Sequence, residues 1–132
     1  MRNLAISGIL LMALTFACKK DNNTLYRTTE IKYGESKVYA DYNLTINLNS
    51  VLSDSRCPQN VNCIWAGNAE VRFIYSKDDK TVKFVLNTLT SFRTDTLIYG
   101  YRIKLVDLTP YPEVGVTTEQ IKYKAELKVT KE

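Results

Sequence analysis

Two closely spaced cysteines, Cys57 and Cys63, are the residues of this chain with the most distinctive chemistry. They flank five residues, of which Pro58, Asn60 and Asn62 favour turns. Such a pair can form a disulfide that closes a surface loop, or two thiolates can bind a soft metal ion such as Cu(I). A structural zinc site normally needs four protein ligands, and the 132-residue chain has no histidine to complete one. The spacing also differs from Cys-x-x-Cys, which disfavours a redox role.

The absence of histidine also limits catalysis. It removes the commonest general base, so neither a Ser-His-Asp triad nor a Cys-His pair can be assembled. Asp78 and Asp79 are adjacent carboxylates, but they lie in an expected hairpin turn, where solvated turn residues are the simpler interpretation. The other acidic residues are scattered and form no acid/base pair for glycoside hydrolysis. We therefore predict no catalytic residue, no cofactor and no metal site; a small hydrolase or a metal carrier is a minor alternative.

The aromatic residues offer a second kind of chemistry. Most of the nine tyrosines occupy expected inward positions of strands. We expect Trp65, two residues after Cys63, to pack its ring on the end of the fold or against the cysteine bridge. The alternative is an exposed rim of flat rings on which a sugar stacks. The candidate ligand rim comprises Trp65, Tyr99, Tyr101 and Tyr111.

The charge pattern argues against nucleic-acid binding. The chain carries a formal charge of +4, of which Arg2 contributes one within the first 17 residues. The lysines are spread singly along the chain, whereas nucleic-acid binders concentrate basic residues on one face. We predict no nucleic-acid partner.

Apolar and polar residues alternate with a period of two along most of the chain, which is typical of antiparallel strands with one buried face. The clearest segments are residues 38–48, 69–75, 82–86 and 121–129, with a weaker first strand at 25–33. A further pair, 97–99 and 101–108, is broken at Gly100 and changes parity near Leu105, which indicates a bulge. The pattern predicts an all-β antiparallel sandwich of about seven strands, with a small β-barrel as the alternative.

The first 17 residues have the features of an export signal. Arg2 and Asn3 precede an apolar run, residues 4–16, which is shorter than the roughly 20 residues of a membrane-spanning helix. The run ends in Thr15-Phe16-Ala17-Cys18, which resembles the lipobox of bacterial lipoproteins, although Thr15 and Phe16 depart from the usual residues. The resemblance implies that Cys18 is lipidated and carries acyl chains such as palmitate. An ordinary secretory signal with a free Cys18 is the alternative.

Cysteine parity agrees with lipidation. The chain has three cysteines, and lipidation of Cys18 leaves Cys57 and Cys63 to pair in an oxidising compartment. We therefore predict a signal peptide at 1–17, an acylated cysteine and short linker at 18–24, and a β-sandwich domain at 25–132. Lys19 after the cysteine fits a lipid anchor in the bacterial outer membrane, facing the periplasm or the cell surface.

The segments around the two cysteines resemble a known signature. Asp54-Ser55-Arg56-Cys57-Pro58 and Cys63-Ile64-Trp65-Ala66-Gly67 are similar to a pattern found in small exported bacterial proteins, often lipoproteins, of unassigned activity. The resemblance implies a β-rich exported domain with a disulfide loop. We also expect Asp54 to bond loop amides or Arg56. The sequence thus predicts a membrane-anchored, non-enzymatic binding or accessory module with a protein or glycan partner; the alternative is a carbohydrate- or glycoconjugate-binding protein of the cell envelope.

Overall fold

Alternating apolar and polar residues form two four-stranded antiparallel sheets in the computed structural model, which describes residues 28–132. The strands are β1 (Thr28–Lys32), β2 (Ser36–Tyr39), β3 (Leu44–Asp54), β4 (Ala69–Lys77), β5 (Lys80–Asn87), β6 (Asp95–Ile98), β7 (Tyr101–Thr109) and β8 (Lys124–Lys131). One sheet has the order β1-β8-β7-β6 and the other β2-β3-β4-β5. The predicted β-sandwich is confirmed, with eight strands and no closed barrel among the described residues. No helix in that part of the chain has the length and apolar character required to span a bilayer.

The core consists of the inward side chains of both sheets. Phe73 and Tyr75 of β4 are the largest fully buried side chains, and the Phe73 ring stacks on Phe84 of β5 with ring centroids 5.5 Å apart. Ile103 and Leu127 contribute from the opposite sheet. Full burial of such a side chain stabilises the fold by roughly 1.5–3 kcal/mol.

The continuous strand predicted at residues 38–48 is wrong. β2 ends at Tyr39, a 3₁₀ turn covers Ala40–Tyr42, and β3 begins at Leu44. Asn43 adopts the left-handed conformation (φ = 50°), which asparagine tolerates better than most residues, so the chain reverses and β2 pairs antiparallel with β3. Consequently Val38, expected to face inward, is 66% exposed.

Two other boundaries differ from the expectation. β3 continues to Asp54 through register shifts after Leu48 and Val51, and these irregularities interrupt the alternation. Ile121, expected on the inner face of the last strand, is exposed in a 3₁₀ turn, Gln120–Lys122, before β8 begins.

The two remaining hairpins lie where the sequence predicts them, although β6 begins at Asp95 and Tyr99, expected in a strand, lies in the turn. β4 and β5 pair throughout their length around a turn at residues 78–79. β6 and β7 are joined by Tyr99 (φ = 48°) and Gly100 (φ = 81°), the positive φ pair that a tight hairpin requires. The expected bulge in β7 lies between Leu105 and Asp107.

Apart from residues 33–35, which cross between the sheets beside Leu48, the connections gather at two opposite ends of the sandwich. We call the end with residues 55–68, 88–94 and 110–119 the cysteine-loop end. The end with the turns at residues 40–43, 78–79 and 99–100 is the tyrosine end. The nine residues of β4 connect the two ends, a distance of about 27 Å at the usual rise per residue.

Candidate functional site

The predicted cysteine bridge is present at the cysteine-loop end. The Sγ atoms of Cys57 and Cys63 are 2.14 Å apart and their Cα atoms 5.9 Å apart. The bridge closes a loop after β3, with Cys57 half-buried and Cys63 exposed. Within residues 28–132, no three cysteine, aspartate or glutamate side chains are grouped so as to hold a metal ion.

A buried arginine fixes the base of this loop. Arg56 is 7% exposed, and its Nη2 and Nε lie 2.7 Å and 2.8 Å from the two carboxylate oxygens of Asp54. The same guanidinium donates to the carbonyls of Leu108 and Pro110, the latter at 2.8 Å. The Tyr123 hydroxyl donates to Asp54 Oδ2 at 3.0 Å. The expected contact between Asp54 and Arg56 is confirmed, and through it the loop is tied to both sheets.

The electrostatics of the pair favour its ionised form. Burial alone would raise the pKa of the Asp54 carboxyl, but hydrogen bonds from Arg56, its charge and the Tyr123 hydroxyl together lower that pKa below its usual value of 3.8. Burial and the hydrogen bond to Asp54 raise the pKa of Tyr123, which keeps its hydroxyl protonated. The pair is thus a structural ion pair with all its charges compensated.

Gly67 and Asn68, at the end of the loop, hold it against the residues that follow β3. A Cβ atom on Gly67 would lie 1.6 Å from the backbone oxygen of Ser55, so no other residue fits there. The backbone carbonyl of the next residue, Asn68, accepts a hydrogen bond from the Ser55 backbone N–H at 2.8 Å. Its side chain donates to Asn87 Oδ1 at 2.8 Å and accepts from the Leu89 backbone N–H at 3.1 Å. These contacts give the glycine and its neighbours a structural role.

Between these fixed points the loop exposes apolar side chains. Ile64 is 93% and Trp65 82% exposed, and Val61 is also exposed. The expectation that Trp65 packs on the fold or on the bridge is therefore wrong. The ring that packs beside the base of the loop is Tyr111, whose centroid is 4.7 Å from Arg56 Cζ.

The four residues of the candidate rim lie at both ends of the sandwich. Trp65 and Tyr111 belong to the cysteine-loop end, whereas Tyr99 and Tyr101 lie at the tyrosine end, eight residues or more away along β7. Tyr101 is buried with its ring centroid 5.2 Å from that of Tyr42. Tyr99 is exposed beneath Lys80, with Nζ 4.4 Å from its ring centroid. The structure therefore does not assemble the four residues into one rim: Trp65 and Tyr111 share an end of the sandwich, and Tyr99 and Tyr101 lie at the other end.

A groove of about 700 Å³ opens between the cysteine loop and the segment that begins at Thr109, the last residue of β7. Gln59, Asn60 and Val61 form one wall, and residues 109–114 form the other. Tyr111 also borders a smaller groove of about 290 Å³, on the side of Cys57 and Val106. Neither Ile64 nor Trp65 lines these two grooves.

The two segments that form the groove are poor in charge, although Arg56, Arg93 and Glu119 lie elsewhere at the same end. Residues 57–69 contain no charged side chain, and Glu113 is the one such residue in 108–118, although 24% of the chain is charged. This signal could have pointed to Gln59 and Asn60, which sequence reasoning missed. No sequence signal indicates that Arg56 reaches Leu108 and Pro110, because that contact spans more than fifty residues.

Comparisons of the chain with protein-family models, with curated proteins and with solved structures gave no match. What the site can do therefore follows from its own geometry.

Proposed function

We propose that this protein is a non-enzymatic binding module, anchored to the bacterial cell envelope through Cys18, whose contact surface is the cysteine-loop end. The observation that carries the proposal is the exposure of Ile64 and Trp65 on a loop fixed at its base. Exposed apolar groups concentrated at one place mark interaction surfaces more often than isolated ones do, and tryptophan is enriched among residues that dominate binding energy.

The way the loop is held supports a binding role. The bridge, the Asp54–Arg56 pair and the close contact at Gly67 restrict the loop before any partner arrives. A surface ordered in advance loses less conformational entropy on binding, so more of the contact energy appears as affinity.

The anchor is supported by the sequence alone, since Cys18 and the signal and linker segments, residues 1–24, lie outside the described residues. Metabolic labelling with a palmitate analogue tests it. We expect label in the wild-type protein and none in Cys18→Ala, because the acylated sulfur is absent from the variant. Equal labelling of the two proteins would rule out the anchor.

The contact surface is tested by affinity capture from envelope extracts, with protein and glycan fractions analysed separately. A true ligand should be retained by the wild type and lost with the double variant Ile64→Ser, Trp65→Ala. It should still be retained by the control Tyr99→Ala, which removes an exposed aromatic ring at the opposite end. Capture that survives the double variant would place the contact surface elsewhere.

A further inference from the structure

We propose that the groove between the cysteine loop and residues 109–114 binds a neutral glycan, with Tyr111 as its stacking platform. The inference rests on the proposed function, because it assigns a ligand class to part of the same contact surface. The groove volume of about 700 Å³ lies within the range of small-ligand sites, roughly 300–1,000 Å³. It can therefore accept a few sugar units of a longer chain.

The groove offers hydrogen-bonding groups that no other side chain uses. Gln59 and Asn60 line it and are exposed, and within residues 28–132 neither side chain forms an intramolecular hydrogen bond. Each amide presents a donor and an acceptor side by side. That arrangement matches neighbouring hydroxyl groups on a sugar ring, each of which can both donate and accept.

Tyr111 provides a fixed aromatic surface beside these amides. Its hydroxyl donates to Asp107 Oδ1 at 3.0 Å, and the Arg56 guanidinium lies over its ring at 4.7 Å from the centroid. The hydrogen bond to Asp107 and partial burial raise the pKa of the Tyr111 hydroxyl, so the ring is neutral at physiological pH. The side chain remains 38% exposed. Arg56 covers one face of the ring and lines the smaller groove but not this one, so the opposite face is the one offered to the polarised C–H groups of a pyranose.

The walls of the groove are held in place. Pro110 and Pro112 restrict the segment that carries Tyr111, and the Pro110 carbonyl accepts a hydrogen bond from Arg56 at 2.8 Å. On the other side, the Cys57–Cys63 bridge closes the loop that carries the amides. A preformed groove is required for useful affinity to a sugar, because each hydroxyl must give up its hydrogen bonds to water.

The lining distinguishes a glycan from other ligands. Its one charged residue is Glu113, so the groove has no cation to hold an acidic polysaccharide, a phosphate or a nucleic acid. A peptide that binds by adding a strand would need a free strand edge, whereas the walls of this groove are loop residues apart from Thr109 at the end of β7. Amides, an aromatic ring and low charge are the combination that suits neutral hydroxyl-rich ligands.

The test uses the full chain, purified from the envelope in a detergent without a sugar headgroup. The probes are neutral oligosaccharides of glucose, mannose, galactose and N-acetylglucosamine, two to six units long, measured by isothermal titration and by saturation-transfer NMR. We expect saturable binding of at least one neutral series and none of the matched uronic-acid oligosaccharides. Tyr111→Ala should weaken binding by about tenfold, since the stacking surface is lost.

Three further variants separate the groove from general effects on the fold. Tyr111→Phe keeps the ring and should bind within about threefold of wild type. Asn60→Gly removes an amide while preserving the positive φ of 65°, and it should weaken binding by about fivefold. Tyr99→Ala, at the tyrosine end, should leave binding unchanged. Amide NMR spectra of each variant check that the fold is intact.

Three results would overturn the proposal: no neutral oligosaccharide binds at millimolar concentration, Tyr111→Ala binds as well as wild type, or uronic-acid oligosaccharides bind more tightly. These failures differ from failure of the proposed function. If a protein ligand is lost with the Ile64/Trp65 double variant while no glycan binds, the contact surface stands and the ligand class is wrong.

Discussion

At the scale of single residues, most of the side chains around the two cysteines have structural roles. The ion pair between Asp54 and Arg56 was predictable because the two residues are only two positions apart in the sequence. The further reach of Arg56 to Leu108 and Pro110 was not, since only the folded chain brings β3 and β7 together there. A buried charge needs a full set of partners, and these carbonyls complete the set.

Replacing Asp54 tests the importance of this pair. We expect Asp54→Asn to lower the free energy of unfolding by about 3 kcal/mol at pH 7, because Arg56 would stay buried without a counter-charge. Urea denaturation measures the change. Asp95→Asn is the matched control: Asp95 and its partner Arg102 are each 40% exposed, so solvent screens the pair and the loss should be much smaller. Equal losses in the two variants would contradict a special role for the buried pair.

The same pair predicts a dependence on pH. The pKa of the Asp54 carboxyl is lower in the folded state than its ordinary value of 3.8, so its contribution to stability is complete above that value. The contribution is lost as the pH falls through the folded-state pKa. Wild-type stability should therefore decline below about pH 4 more steeply than that of Asp54→Asn. If the free energy of unfolding of the two proteins fell equally with acid, the pKa of Asp54 would not differ between the folded and unfolded states.

Gly67 gives a second prediction at this scale. Gly67→Ala should destabilise the protein by about 3 kcal/mol or prevent folding, because the new Cβ would overlap the backbone oxygen of Ser55. Gly34→Ala is the control: Gly34 has a positive φ of 74°, but a Cβ added there would have no other atom within 4 Å. Its cost should be the conformational strain alone, about 1 kcal/mol. Thermal denaturation of both variants distinguishes steric overlap from strain.

At the scale of elements, hydrophobic alternation identified which residues face the core better than it identified where the chain reverses. The inward residues of β4 and β8 follow the predicted parity. The reversal at residues 40–43 was missed because the apolar positions keep the same spacing through the turn. The exposure of Trp65 was also unpredictable, since a period-two pattern carries no information about a loop.

Reduction of the Cys57–Cys63 bridge tests the loop as an element. We expect the fold to persist, because closing so small a ring contributes only about 2 kcal/mol, less than the 5–15 kcal/mol typical of a domain. Amide exchange should become faster in residues 55–67. It should stay slow in β4, because this strand is hydrogen-bonded to β3 on one side and to β5 on the other. Global unfolding under mild reductant, measured by circular dichroism, would show that the bridge supports the whole sandwich.

At the scale of the whole molecule, the fold separates the proposed contact surface from the point where the preceding chain joins the sandwich. Thr28, the first residue of β1, pairs with Lys128, and β1 then runs toward Lys32 and the cysteine-loop end. Lys128 lies near the middle of β8, so the chain before Thr28 joins the sandwich at about mid-length and not at the cysteine-loop end. With an anchor at Cys18, the exposed Ile64 and Trp65 would lie about half the length of the sandwich from that attachment.

This arrangement predicts that the loop does not enter the membrane that carries the anchor. Because Trp65 is the one tryptophan of the chain, its fluorescence reports on the loop directly. The protein is reconstituted into proteoliposomes, and flotation confirms that it is bound to them. Brominated lipids should leave the Trp65 emission unchanged. Iodide should quench this emission as strongly as it does for the protein in detergent. Iodide quenching shows that the ring is in water, and a Trp65→Phe sample supplies the background. Quenching by brominated lipids would instead mean that the exposed apolar loop inserts into the bilayer, and that its partner is lipid.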